Sequence, residues 1–404
     1  MDMSQQQRRP TAPPVLKLLH ETLFALLKIE RRFDPFFRPA LDAILQEPLA
    51  RGLQFLTNLW RDRETLGLAE ERKLPDEEAC LDSIISEMAA HMRELYQPGS
   101  YQRGGNTKTH GVLRGEFTVR GDLPAPYRHG VFAEPRTFPA WVRFSGPGPA
   151  PPADIDDVGV LSIGIKLMGV PGQKLLDDEK FTQDFTGITT PIFTTPDVKE
   201  NAKLQVRSRA GLPLFYFISP GDSHLLDALM QGLWARTHTS PLEARYWGCV
   251  PYLLGAGAAM QYTIMPKSPR RSRVPRLPLR PPDDYLRENM AATLSREEAE
   301  FDFMIQLQTD AHLMPIENAS VRWAENLSPA KPVATLRIAK QKFNSPAQLA
   351  FAHQLSYNPW HSLAEHRPLG NQNRGRKRIY QELSRLRQEM NQTPHREPTG
   401  DEVF

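Results

Sequence analysis

Apolar residues recur at helical spacing near the start of the chain. Leu16, Leu19, Leu23, Leu26 and Leu27 predict a helix over 15–33, and a second helix is expected over 39–60, interrupted at Pro48. A third, over 76–96, carries Leu81, Ile84, Ile85, Met88, Met92 and Leu95. It opens on Leu74-Pro-Asp-Glu-Glu78, which puts acids in the first turn. After Gly99 the period shortens to two. The stretches 112–119, 140–145, 158–168, 258–264, 301–307, 319–323 and 333–338 alternate or run apolar, with Phe301, Phe303, Ile305 and Leu307 on the inward face. Seven or so strands without regular helical crossovers predict an antiparallel barrel or sandwich. Helices are expected over 222–236 and from Arg374 onward, so the class is α+β. The organisation is then a polar, proline-containing tail over 1–14, expected to be disordered, a helical arm over 15–98 and a barrel domain over 99–404.

Composition narrows the classes. A chain of 404 residues with 40% hydrophobic and 24% charged content is built for a sizeable core. A net charge of +3 is too small to indicate a nucleic-acid binder. Two cysteines, Cys80 and Cys249, make neither a disulfide framework nor a metal site. With no secretory leader and no apolar run of membrane-spanning length, the expected compartment is the cytoplasm. Phe33, Phe36 and Phe37 with Arg31, Arg32 and Arg38 form an aromatic-basic cluster of the membrane-surface kind. Amphipathic helices mostly bury their apolar face in protein, so packing on the main domain or on a sister subunit is the expectation. The proline-broken run over 267–282, with Arg270, Arg271, Arg273, Arg276 and Arg280, suits anionic lipid or an acidic partner; a solvated charge run is the expected reading.

Candidate chemistry is concentrated near the two ends of the barrel domain. Arg376 and Tyr380 are four apart and share a helix face, and Arg387 returns to that face two turns later. Positive charge beside a phenol favours phenolate, so Tyr380 is either an activated tyrosine or an ordinary buried one. His110 follows a glycine-rich lead and opens the first strand, where a histidine can serve as acid/base. His361 and His366 are five apart, a poor spacing for two metal ligands on one helix face.

A set of short segments carries a family resemblance. Thr109-His110 is followed by Gly115-Glu-Phe-Thr-Val119, Val142-Arg-Phe-Ser145, Thr190-Pro-Ile-Phe193, Asn358-Pro-Trp-His361, Pro368-Leu-Gly370 and Arg376-x-x-x-Tyr380. In this order, over roughly 100–390, the chain resembles the haem catalases, and more closely the small catalase-related branch that includes coral-type allene oxide synthases. The resemblance implies haem b beside an antiparallel barrel. It makes Tyr380 the proximal iron ligand and Arg376 the residue that holds it as phenolate. It makes His110 the distal acid/base, Ser145 its hydrogen-bonding support, and Arg143 and Arg387 the partners of the haem propionates.

Three positions depart from the catalase pattern. Thr189 stands where catalases carry the asparagine that orients peroxide. Thr109 stands where they usually carry valine, and its hydroxyl is expected to bond the imidazole. Thr107 replaces a propionate arginine, which leaves Lys108 or Arg103 as substitutes. The resemblance therefore implies an enzyme acting on peroxides, organic or fatty-acid hydroperoxides before hydrogen peroxide. The alternatives are a mini-catalase or peroxidase using hydrogen peroxide, and a haem-binding protein without catalysis.

Overall fold

The structure is a computed structural model that describes residues 13–146, 148, 150–267 and 272–404. The tail expected over 1–14 falls mostly outside them. Nine strands form one antiparallel sheet: β1 (Thr109–Val119), β2 (Thr137–Ser145), β3 (Ser162–Met168), β4 (Thr182–Ile188), β5 (Tyr246–Trp247), β6 (Tyr252–Leu253), β7 (Ala259–Pro266), β8 (Ala299–Leu307) and β9 (Lys331–Ile338). Their order is β5-β4-β3-β2-β1-β9-β8-β7-β6. The pairing of Tyr246 with Ile264 joins β5 to β7 and closes eight of the strands into a barrel, with β6 left as an appendage. Closure removes the free edges that an open sheet would expose.

The period-two pattern built the barrel as expected over most strands. Phe301, Phe303 and Ile305 are buried at alternate positions of β8. They meet Phe117, Phe144, Ile163 and Phe185 from the opposite wall, with Phe185 and Phe303 ring centroids 4.9 Å apart. Two expectations fail. Residues 319–323 are not a strand but irregular chain, and β4 was not anticipated because Thr-Gln-Asp-Phe-Thr-Gly-Ile shows little apolar alternation. Polar side chains on β4 face outward, where they are used.

The arm consists of α1 (Pro14–Leu41), α2 (Glu47–Trp60) and α3 (Glu77–Leu95). A π-helical turn at Asp42–Gln46 joins the first two, so the interruption precedes Pro48, which sits in the first turn of α2 where its missing N–H costs nothing. Beyond the strands come α4 (Val198–Arg209), α5 (Leu214–Ile218), α6 (Leu225–Gly232), α7 (Tyr285–Leu294), α8 (Pro346–Gln354) and α9 (Asn371–Asn391). The helix expected over 222–236 is the shorter α6.

Helix α9 is placed by charge and by one close approach. Arg374 pairs with Glu77 at 2.8 Å, Glu71 at 2.8 Å and Glu317 at 3.1 Å, and Arg378 pairs with Glu78 and Asp82 of α3. The acids that open α3 thus complement the basic run of α9. A Cβ at Gly375 would lie 2.6 Å from Leu81, so only glycine lets the two helices approach this closely.

Candidate functional site

The outer wall of the barrel carries the site. Arg143, Gly164 and Thr186 are cross-strand neighbours on β2, β3 and β4, and their faces alternate with Phe144, Ile163 and Phe185, which point into the core. Helix α9 brings Tyr380 to one end of this row. Arg376 Nε donates to the Tyr380 hydroxyl at 3.2 Å, and the same guanidinium reaches Tyr252 at 3.3 Å, Asn373 at 3.0 Å and Thr186 at 2.5 Å. Burial opposes the Arg376 charge, but the surrounding Tyr380, Tyr252 and Cys249 outweigh it and raise its pKa. A guanidinium fixed by four residues places permanent positive charge beside two phenol oxygens, those of Tyr380 and Tyr252.

Arg387, seven residues on, reaches a different place. It donates to the His353 carbonyl and, at 3.2 Å, to Ser356 Oγ. There it joins two other arginines. Arg143 donates to Thr109 Oγ1 at 2.8 and 3.2 Å and to the Asn106 carbonyl at 2.7 Å; Arg103 donates to the Ala352 carbonyl at 2.9 Å and to that of Leu355. Burial first, then Arg103, depresses the Arg143 pKa well below the usual guanidinium range, and the same two causes act on Arg387. Burial pulls Arg103 itself down to about 10. Their hydrogen bonds go to carbonyls and hydroxyls; among the described residues none of the three has a carboxylate partner. Holding buried Arg143 and Arg387 and half-buried Arg103 together is costly unless an anion sits among them. The donor set fits a group bearing two carboxylates.

Of the two substitutes expected for Thr107, Arg103 lies in this cluster. Lys108 does not: its ammonium pairs with Asp154 at 2.8 Å and Asp284 at 3.0 Å, on the far side of β1.

His110 is the extra residue of a β-bulge, since Thr109 pairs with Ser145 and Gly111 with Phe144. Bulges re-aim side chains in this way. The imidazole is buried and neither ring nitrogen has a hydrogen-bond partner. Nδ1 lies 3.7 Å from Asp154 Oδ1, and Nε2 faces Gly146. Burial, followed by Lys108, Arg287 and Arg143, lowers its pKa well below the ordinary value, so it is a neutral base.

Two expectations about its neighbours are corrected, and Thr189 is found committed elsewhere. Ser145 does not hydrogen-bond His110, because the bulge carries the imidazole out of register with the strand partner. Thr109 does not bond the imidazole either; its hydroxyl is turned to Arg143, from which it accepts two charge-assisted hydrogen bonds. Thr189 Oγ1 is already taken, accepting from the Leu161 amide at 2.9 Å and sharing a hydrogen bond of 3.2 Å with His238 Nε2.

His238 was not singled out in the sequence. It is held down to about 3, by burial first and then by Arg236 and Arg31, and His110 is close enough to contribute. Its signal in the sequence is nil, since it sits in irregular chain after α6 and is brought to His110 only by the fold. A small cavity is lined by His238 with Arg31, Asp154, Asp157 and Tyr285. Asp157 is pushed up to about 6, mainly by burial.

Two further acid–histidine groupings, Glu179–Asp184–His361 and Glu200–Asp222–His224, lie among the described residues, and the buried first one is a charge network. His361 Nδ1 is 2.8 Å from Asp184, and Lys166 reaches Asp184 at 2.8 Å and also Glu179. The Lys166 ammonium already supplies a positive charge to the carboxylates of Glu179 and Asp184, which with His361 could otherwise offer ligand atoms to a metal.

Protein-family profiles give no match to the chain, and neither do curated protein sequences. Solved structures do match. A fungal catalase superposes with a TM-score of 0.58 at 14% identity, covering 85% of this chain and 70% of its own. Catalase A from Saccharomyces cerevisiae gives 0.58 at 14%, over 85% and 71%. A bacterial catalase gives 0.50 at 16%, over 85% and 70%. The chain has the catalase fold.

Proposed function

We propose that this protein binds haem against the outer barrel wall and uses it on peroxides, organic or lipid hydroperoxides in preference to hydrogen peroxide. The observation that carries the haem reading is the trio of half-buried Arg103 and buried Arg143 and Arg387, cations that lack a carboxylate among the described residues and would pair with the two propionates. Tyr380, under Arg376, is the oxygen ligand the group needs on one face. Bound haem supplies the redox-active iron at which a peroxide O–O bond breaks.

The chain's own residues do the rest. His110 is neutral, and Asp154 on its Nδ1 side favours the tautomer with Nδ1–H, leaving Nε2 to take the peroxide proton and return it to the departing oxygen. The Thr109 hydroxyl ties Arg143 to the strand that carries His110, which links the anion site to the base. The preference for larger hydroperoxides rests on Thr189. Its hydroxyl is spent on Leu161 and His238, so it offers no free donor to orient hydrogen peroxide.

Adding each peroxide to the haem-loaded protein tests the preference. A fatty-acid hydroperoxide should be consumed with little oxygen released from hydrogen peroxide. Vigorous oxygen evolution from hydrogen peroxide, with the fatty-acid hydroperoxide untouched, assigns the protein to the mini-catalases instead. Bound haem without response to either assigns it to haem carriage.

A further inference from the structure

Helix α1 is amphipathic in the inverted sense. From Ala25 on, its polar residues face the protein: Asp34 is 1% exposed and accepts from the Thr237 amide at 2.6 Å, Arg31 donates to the Val158 carbonyl at 3.1 Å, and Arg38 donates to the Gly232 carbonyl at 2.9 Å. Its apolar residues face out. Phe36 is 66% exposed, Ile44 in the turn 71%, and Trp60 at the end of α2 77%. From Ala25 to Leu49 every fully exposed residue is apolar, while Lys28, Glu30, Arg32, Asp42 and Glu47 are turned at least partly inward. The packing on the main domain expected for these apolar side chains is therefore not what this chain does with them. More than half of the exposed large apolar side chains among the described residues lie between Val15 and Trp60. Their area is on the order of 1,000 Å², against roughly 300–600 Å² for the largest patch of an ordinary monomer.

A second observation says what covers this face. The proline-broken basic loop packs against α1, where Arg32 donates to the Leu279 carbonyl at 3.0 Å. Leu279 is 82% exposed. Beside it Arg273, Arg276 and Arg280 are exposed and make no ion pair among the described residues; Arg270 and Arg271 of the same run lie outside those residues. An apolar face free of charge, edged by uncompensated arginines, is complementary to acyl chains under a layer of anionic headgroups. A second copy of the same face carries the same arginines, and over 13–60 its one fully exposed carboxylate is Glu21. No described helix is long and apolar enough to cross a membrane, which fits docking on the surface.

We infer that α1, α2 and the loop around Leu279 form a docking face for an anionic lipid bilayer. Arg31 of α1 also lines the cavity beside His238, so docking puts the histidine side about one helix diameter, ~10 Å, from the bilayer. The docking itself does not depend on the haem reading.

Sedimentation of the full chain with phosphatidylserine–phosphatidylcholine vesicles, and with phosphatidylcholine alone, tests it. Binding is expected to the anionic vesicles, weaker to the neutral ones, and weakened by salt. Phe36→Ser with Ile44→Ser should abolish it. Arg273→Gln, Arg276→Gln and Arg280→Gln should each weaken it roughly fivefold. These positions are exposed, so circular dichroism and the haem absorbance should be unchanged, which separates this outcome from failure of the haem reading. No binding to either vesicle overturns the proposal. A dimer in light scattering that Phe36→Ser with Ile44→Ser dissociates, with no vesicle binding, assigns the face to a second copy and overturns it equally.

Discussion

The tyrosine side and the histidine side of the site are built differently. On the tyrosine side the decisive contact, Arg376 to Tyr380, lies within one turn of one helix. The geometry of that turn guarantees the pairing wherever the helix forms. On the histidine side no contact is local. His110 is aimed by a bulge, its neighbours Asp154 and His238 arrive from 44 and 128 residues further along the chain (154 − 110 and 238 − 110), and of the two hydroxyls expected to serve it Thr109 is bonded to Arg143 and Ser145 makes no bond to the ring. A local arrangement survives changes elsewhere in the protein; an assembled one does not.

The largest expected effect lies on the histidine side. His110→Ala should leave the cofactor bound and slow peroxide turnover by roughly a hundredfold or more, the usual contribution of a general acid/base. Single-turnover kinetics with a fatty-acid hydroperoxide measures it, and unchanged turnover would move the proton-transfer role to another group. His238→Gln should cost less, because His238 acts through Thr189 and its neighbours.

A smaller effect joins the two sides. Arg103→Leu should weaken haem binding roughly tenfold to a hundredfold, the worth of one charge-assisted hydrogen bond. In the haem-free protein it should be neutral or stabilising, since it removes one of three clustered like charges. Haem titration and thermal melting of the haem-free protein read the two arms. Destabilisation of the haem-free protein by the loss would contradict the assignment of the trio to an anion.

The two sides should also fail at opposite ends of the pH scale. His361 beneath the tyrosine side is raised to about 9. Burial and Lys166 oppose its charge, but Asp178 and Asp184 outweigh them. A raised histidine contributes stability that is complete below its unfolded value near 6.5 and is lost as pH rises through 9, here on the order of 3 kcal/mol. His238 is depressed to about 3, so below pH 6.5 the unfolded chain takes up a proton that the folded one refuses, and stability falls toward pH 3. Denaturant melts across pH should show His361→Gln flattening the alkaline limb alone and His238→Gln the acid limb alone.

This division also decides what was legible in the sequence. The barrel strands β1, β2, β3, β7, β8 and β9 announce themselves through alternation, because one face is core and the other is not. β4 is silent because Gln183, Asp184 and Thr186 bond to Lys166, Arg376 and the 358–363 segment, so both of its faces are occupied. Tyr380 and Arg376 were readable from spacing. His238 and the commitment of Thr109 were not, because they follow from which donor reaches which acceptor once the wall is closed. The amphipathicity of α1 was plain; its inward polar face was not, since periodicity gives a stripe without saying which way it turns.

The central claim is that Tyr380, held by Arg376, is an iron ligand. The ferric absorption spectrum of the full chain supplied with haem tests it most directly, compared with that of Tyr380→Phe. A tyrosinate-type spectrum in the first and its loss in the second are expected. The same spectrum in both would falsify the assignment of the ligand, and no haem uptake by the unaltered chain would contradict the account as a whole.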